Sequence, residues 1–313
     1  MVVIESFHQG DISALSKIIS YVENRKDDYQ SVLRKLYKSK KKCHRIGITG
    51  PPGAGKSTLI SRLISLFANE NKKIGVIAVD PTSPFSGGAL LGDRVRVSDI
   101  PEKAVVFFRS MATRGASGGL AVSTDNVAVI MEAFGFDILL LETVGVGQVE
   151  LDIIDSCDTV VVTLVPESGD AVQTMKAGLM EISDIMLVNK SDRPGSENIL
   201  EEIRHSLHLQ GMNKKGWEVP ILATEATNNK GIGKLYDAIS DHYRFLSENG
   251  LLEEKRTSQI KKKILSIINE RFQTSLEKYM IDSDYFNSVL KDVKNGHQDP
   301  YNAGEKIYNE FVN

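Results

Sequence analysis

The chain has 313 residues, a formal net charge of -3, and 41% hydrophobic and 25% charged residues, a composition that buries a sizeable core without staples. That charge gives no broad basic surface for nucleic acid. The two cysteines, Cys43 and Cys157, exclude a disulfide framework or a Cys-rich metal site and suit a reducing compartment.

Taken from its start, the sequence shows Glu5, His8 and Asp11 among a few apolar residues, without the basic, then apolar pattern of a secretory signal or the Arg-rich pattern of a transit peptide. No apolar run reaches membrane-spanning length, so the expectation is a cytoplasmic chain with no membrane partner. Residues 1–42 read as a helical extension. Asp11 is placed to cap a helix whose Ile12, Leu15, Ile18, Ile19 and Val22 form one apolar face, and Tyr29, Val32, Leu33 and Leu36 mark a second helix. The Lys38, Lys40, Lys41, Lys42 run reads as a solvated linker.

From 43 to 246, β-branched runs alternate with helical patterns, the signature of a parallel sheet flanked by helices. Strands are expected at 45–49, 74–79, 105–108, 138–142, 159–164, 185–189 and 219–223. In such a sheet ligands gather at the carboxyl ends, which would set Asp80, Glu142 and Asn189 on one edge. Residues 247–313 read as a helical extension. Its Ile260, Ile264, Ile267, Ile268 and Phe272 stripe has to be covered, either by the tail folding back or by a twofold partner. Asp282 and Asp284 can start a further helix that Asn295-Gly296 ends.

Four stretches carry chemistry. Gly50-Pro51-Pro52-Gly53-Ala54-Gly55-Lys56-Ser57, followed by Thr58, is a complete phosphate loop between a strand and a helix. Its glycines let backbone N–H groups close on phosphate, Lys56 reaches the β/γ-phosphates and the Ser57 hydroxyl can bind Mg²⁺. Asn189-Lys190-Ser191-Asp192 reads guanine, because a carboxylate accepts from two adjacent N–H groups that adenine lacks, while the Lys190 stem packs on the base. Ala223 and Thr224, ahead of Glu225-Ala226, form a second wall. Glu142-Thr143-Val144-Gly145 delivers a carboxylate for metal and an N–H for a γ-phosphate; Gln148 either orients attacking water or is a structural loop amide. The long loop from Asp80 to Asp93-Arg94 reads as a switch whose acids approach the metal.

The order G-P-P-G-A-G-K-S, D-P-T-S-P-F-S-G-G-A-L-L-G-D-R, R-S-M-A-T-R-G-A-S-G-G-L, E-T-V-G-V-G-Q and N-K-x-D resembles the MeaB/ArgK family of GTPases, also labelled LAO/AO transport ATPases. The resemblance implies an α/β P-loop NTPase fold of the SIMIBI-class G-domain type and GTP/GDP and Mg²⁺ as ligands. It also implies slow hydrolysis stimulated by a partner, and a chaperone role toward a cobalamin-dependent acyl-CoA mutase of the methylmalonyl-CoA type, gating its cofactor loading. It assigns phosphate and metal contacts to Lys56 and Ser57, metal and switch roles to Asp80, Asp93 and Glu142, guanine recognition to Asn189 and Asp192, and a partner-sensing switch to the segment holding Lys176. It further implies a homodimer formed through helical extensions. Glu225 to Asn229 departs from the family's Ser-Ala base wall.

Other readings follow from the same residues. The transport label implies an ATP-dependent kinase or transport ATPase, and a GTPase for metal-centre assembly shares the loop architecture but calls for Cys/His clusters. His205 and His208 read as surface residues. Arg109, Arg114 and the 115–119 turn read either as an arginine-finger segment or as the entry to a helix.

Overall fold

The computed structural model describes residues 2–80, 104–112, 119–143, 154, 156–168, 179–209 and 213–312. Three short helices open the chain: α1 (Val2–His8), α2 (Ile12–Glu23) and α3 (Tyr29–Lys38). The Asp11 carboxylate accepts from the Ser13 N–H at 2.7 Å and so starts α2 as the sequence indicates. Helix α1 was not anticipated; too few residues separate its start from Asp11 for periodicity to show.

Seven strands then build one parallel sheet: β1 (His44–Thr49), β2 (Ile74–Asp80), β3 (Val106–Ala112), β4 (Ile138–Thr143), β5 (Thr159–Leu164), β6 (Ile185–Asn189) and, after a small hairpin, β9 (Ile221–Thr224). The hairpin pairs β7 (Asn213–Lys214) with β8 (Trp217–Glu218) in antiparallel register. It ends at Glu218, and the last sheet strand, expected from Val219, starts at Ile221. Sheet order is β3-β2-β4-β1-β5-β6-β9, and every neighbouring pair is parallel. Parallel strands need helical crossovers on both faces, which is why β1, β5 and β6 are buried throughout and read as near-continuous apolar runs.

Helices α4 (Lys56–Asn69) and α7 (Ile232–Glu248) cover one face, through Leu59, Leu63, Ile64, Leu235 and Ile239 against Ile46, Ile48, Val161 and Leu187. Helices α5 (Gly119–Phe134) and α6 (Ser196–Leu209) cover the other. There α2 and α3 pack on α5, so the N-terminal helices add a layer outside it and bury Leu15, Ile18, Ile19 and Val22. With β1 central, the chain runs from it to β2 on the β4 side and later crosses from β4 to β5 on the other side, a reversal of direction that sets a crevice at the carboxyl end of β1.

The opposite, amino-terminal edge of the sheet is closed by buried charge. Arg45 Nε and Nη1 donate to Glu132 Oε1 and Asp125 Oδ1 of α5, each at 2.7 Å. Asp158, 1% exposed, accepts from the Arg45 N–H at 3.0 Å and from Arg256 at 3.0 and 2.8 Å. Lys255 reaches Asp184 at 3.1 Å, and the Thr159 hydroxyl lies 2.8 Å from His44 Nε2 and 2.9 Å from His242 Nδ1. Burial pushes His44 down to about 3, so it is a neutral hydrogen-bonding group at physiological pH.

The chain forms two compact units, Met1–Arg256 and Thr257–Asn313. Helix α8 (Leu251–Asp282) runs through the boundary, and α9 (Asp284–Lys294) and α10 (Pro300–Val312) follow. Within the second unit α9 packs on α10, and Phe311 meets Phe272 edge-on at 5.3 Å. The cap of α9 is Ser283, whose hydroxyl accepts from the Phe286 N–H, and Asn295 with left-handed Gly296 ends it. Ile264, Leu265 and Ile268 of α8 stay more than half exposed.

Burial pushes the Asp158 carboxyl up, but the Arg256 hydrogen bonds and charge and the Arg45 N–H outweigh it, leaving it below the usual range. A depressed native value stabilises the fold fully above the unfolded carboxyl value of about 3.9, and the contribution is lost as pH falls through the native value. Asp158→Asn is expected to cost roughly 2–3 kcal/mol at pH 7, less than a fully buried pair because Arg256 keeps some solvent access. Urea unfolding should show that loss at pH 7 and a shrinking gap to the parent in acid.

Candidate functional site

The site is built where β1 turns into α4. Gly50 has φ +143°, and a Cβ there would run into the Thr163 carbonyl of β5, so the loop leaves the sheet by passing directly over the neighbouring strand. Gly55, at φ +85°, ends the loop with its α-carbon against the Asn189 side chain. The residue at the start of α4 is Gly55, which gives no side-chain cap, and an uncapped helix N-terminus favours an anion.

Lys56 and Ser57 open α4. The Lys56 ammonium, 4% exposed, donates to the carbonyls of Gly50 and Pro51 at 2.9 Å each. Burial pushes it down and the Glu142 carboxylate pulls it part-way back. The Ser57 hydroxyl donates to Glu142 Oε1 at 2.7 Å, across 85 residues of sequence. Register explains the meeting: Ile48 of β1 lies beside Glu142 of β4, so the carboxylate sits at the mouth of the phosphate loop. Behind it the buried Thr143 hydroxyl donates to that of Thr49 at 3.0 Å. A hydroxyl and a carboxylate beside an anion-binding helix end match Mg²⁺, which takes one or two protein oxygens and keeps waters and phosphate oxygens. Among the described residues no group of three or more His, Cys, Asp or Glu converges on a metal-sized point, and His205 and His208 are exposed.

The other wall is organised by Asn189, 2% exposed at the end of β6. Its Nδ2 donates to the Ala54 carbonyl at 2.8 Å, while Oδ1 accepts from the Thr224 hydroxyl at 3.0 Å and the Ala226 N–H at 3.1 Å. One amide thus ties the phosphate loop to β9 and the loop beyond it. Lys190 follows in the left-handed region at φ 57°, which turns the chain so that Asp192 is exposed on the carboxyl-edge side. The turn is held by the Ser191 N–H on the Thr224 carbonyl and by an Arg193–Glu167 ion pair. After Thr224, Glu225 and Lys230 pair across a tight loop. Arg62 of α4 grips that loop from outside, with Nε on the Ala226 carbonyl and Nη2 on the Thr227 carbonyl, both at 3.1 Å.

The structure therefore brings together Lys56, Ser57 and Glu142, and separately Ala54, Asn189, Thr224 and Ala226. Gly53 lies in open space, Pro52 and Ala223 are exposed, and Thr58 is half-buried in the first turn of α4. Asp80 ends β2 on the same edge; its side chain, together with Asp93, Arg114, Gly145, Gln148 and Lys176, lies outside the described residues. Arg109 is committed elsewhere: its guanidinium pairs with Glu23 of α2 and donates to the Ser20 hydroxyl at 3.2 Å. That ties β3 to the N-terminal helices. Arg62 and the pairing of Thr49 with Thr143 were not singled out in the sequence. No local pattern marks them, because Arg62 meets its partners across 164 and 165 residues.

Gly50→Ala is expected to lower the unfolding temperature of the ligand-free chain by the equivalent of about 3 kcal/mol, whereas Gly53→Ala, with open space around its α-carbon, should cost about 1 kcal/mol. Calorimetry of both variants checks the order.

Residues 15–280 match the family model described as methylmalonyl Co-A mutase-associated GTPase MeaB. A Pyrococcus abyssi protein bearing a provisional GTPase name is 44% identical over 311 residues, spanning 99% of this chain and 96% of its own length. The protein named GTPase ArgK from Escherichia coli is 31% identical over 317 residues, with 99% and 95% covered. A crystal structure titled LAO/AO transport system kinase superposes with a TM-score of 0.73 at 25% identity, covering 99% of this chain and 97% of the other.

Proposed function

The chain belongs to the MeaB family of methylmalonyl-CoA mutase-associated GTPases, and from that premise we propose that it binds GTP with Mg²⁺, hydrolyses it slowly, and acts as a chaperone for a cobalamin-dependent acyl-CoA mutase. The observation that carries the nucleotide reading is the single sheet edge shared by Lys56, Ser57, Glu142 and the Asn189–Asp192 turn. In this reading the N–H groups of Gly50 to Gly55 and the first turn of α4 through Thr58 enclose the phosphates, and Lys56 swings from its two carbonyls onto the β/γ oxygens. Ser57 and Glu142 hold the metal, joined by Asp80 and Asp93. Mg²⁺ supplies charge neutralisation at the β and γ oxygens. The Gly145 N–H meets the γ-phosphate and Gln148 orients the attacking water.

Asp192 accepts from the two adjacent N–H groups of guanine, the Lys190 stem packs on the base, and Ala223 and Thr224 form the far wall. Asn189 contributes by bracing that wall to the phosphate loop. Lys176 lies in the segment that senses the mutase. Partner binding completes the loops and accelerates hydrolysis by about 10³ to 10⁵. Residues 247–313 form the homodimer extension, supported by the exposed Ile264, Leu265 and Ile268 stripe. The site is read as cytoplasmic; no described helix is long and apolar enough to cross a membrane.

Titration calorimetry should show GTP and GDP bound in preference to ATP; an ATP preference would replace this reading with the kinase or transport reading that the matched structure's title carries. Lys56→Ala should slow GTP hydrolysis about 10²- to 10³-fold, and unchanged turnover would remove the phosphate assignment. A pull-down against methylmalonyl-CoA mutase should recover the mutase in a nucleotide-dependent amount. Capture equal to a mock resin with every nucleotide would reject the partner.

A further inference from the structure

Two links join the halves of the nucleotide site. Asn189 is the inner one. The outer one is Arg62, which stands nearly two turns into α4, on the helix whose first residues are Lys56 and Ser57. Its guanidinium reaches across to the loop after β9 and takes two successive main-chain carbonyls, Ala226 through Nε and Thr227 through Nη2, at 3.1 Å each. A planar fork that donates to two adjacent carbonyls fixes direction as well as distance. Because a trans peptide points its N–H opposite to its C=O, holding the Ala226 carbonyl toward α4 also sets where the Thr227 N–H points.

The rest of the loop is closed on itself. The Asn228 N–H donates to the Glu225 carbonyl at 3.0 Å, Glu225 N–H to Lys230 carbonyl at 3.1 Å, and Gly231 lies against the Ala223 carbonyl with φ +73°. The Ala226 N–H is already given to Asn189 Oδ1. The loop is therefore closed on itself, and the inner amide and Arg62 are the side chains that tie its backbone to the phosphate loop and helix.

Resting on the nucleotide reading above, we propose that Arg62 is a positioning residue for guanine selection. It sets the loop of Ala226 and Thr227 at the span from the head of α4 that a guanine nucleotide bridges, so that seating the phosphates and reading the 6-oxo edge of the base reinforce each other. A backbone N–H on that loop is satisfied by the 6-oxo group of guanine and meets a donor in the 6-amino group of adenine. Loosening the loop weakens guanine nucleotides and leaves adenine nucleotides, which gain nothing from it, where they were. Both of these bonds go to main-chain carbonyls of the loop after β9 and not to Lys56, Ser57 or Glu142, so loosening that loop leaves the chemical step in place.

The test is titration of the full chain with GDP and with ADP, for the parent, Arg62→Ala and Arg62→Lys, alongside steady-state GTP hydrolysis and ligand-free melting curves. For Arg62→Ala the GDP affinity falls about tenfold with ADP unchanged, as expected for losing two hydrogen bonds from a charged donor. KM for GTP rises by a similar factor and kcat at saturation stays within about twofold. Arg62→Lys, a point charge without the fork, recovers part of the guanine preference. A parent-like GDP-over-ADP ratio in Arg62→Ala overturns the proposal. So does an equal loss of both nucleotides, which would make Arg62 a support for α4 alone. If Arg62→Ala does not fold, the ratio in folded Arg62→Lys decides: reduced supports the proposal, unchanged overturns it. A parent with no preference for GDP would instead overturn the guanine reading itself and this inference with it.

Discussion

A buried amide is the inner tie between the two walls at the carboxyl edge of the sheet. Asn189 uses both ends of its side chain on the protein itself, donating to the Ala54 carbonyl and accepting from Thr224 and Ala226. With Asn189 only 2% exposed, each of these bonds would cost its full desolvation if broken, so the amide acts as a rigid strut. Its two sides are the phosphate loop and the loop after β9.

The sheet makes that strut possible. Because all neighbouring strands of the seven-stranded sheet are parallel, their carboxyl ends share an edge, and β1 beside both β4 and β5 places Glu142 within 2.7 Å of Ser57. The phosphate loop clears β5 because Gly50 has no side chain to meet the Thr163 carbonyl. The other edge is secured differently. Arg45, Asp125, Glu132, Asp158 and Arg256 interlock there, tying β1 to α5 and to the start of α8. One edge is thus sealed by paired charge and the other left open for a charged ligand. The N-terminal helices take part in the first arrangement only indirectly, through α5 and through the Arg109 pair with Glu23.

Sequence alone determined what depends on near neighbours. The alternation of apolar runs located the seven sheet strands to within a few residues, Asp11 and Asn295-Gly296 marked helix ends, and the Gly-rich run before Lys56 and Ser57 marked the turn between β1 and α4, since each of these features is set by interactions a few residues apart. Tertiary structure decided what depends on distant partners. The order of strands, the packing of α2 and α3 on α5, the commitment of Arg109 to Glu23, the hairpin before β9, and the grip of Arg62 on Ala226 and Thr227 left no local trace. A side chain's periodicity records which face is buried, but a hydrogen bond across 135 or 164 residues is fixed only when the whole sheet closes, and on such bonds Asn189 and Arg62 depend.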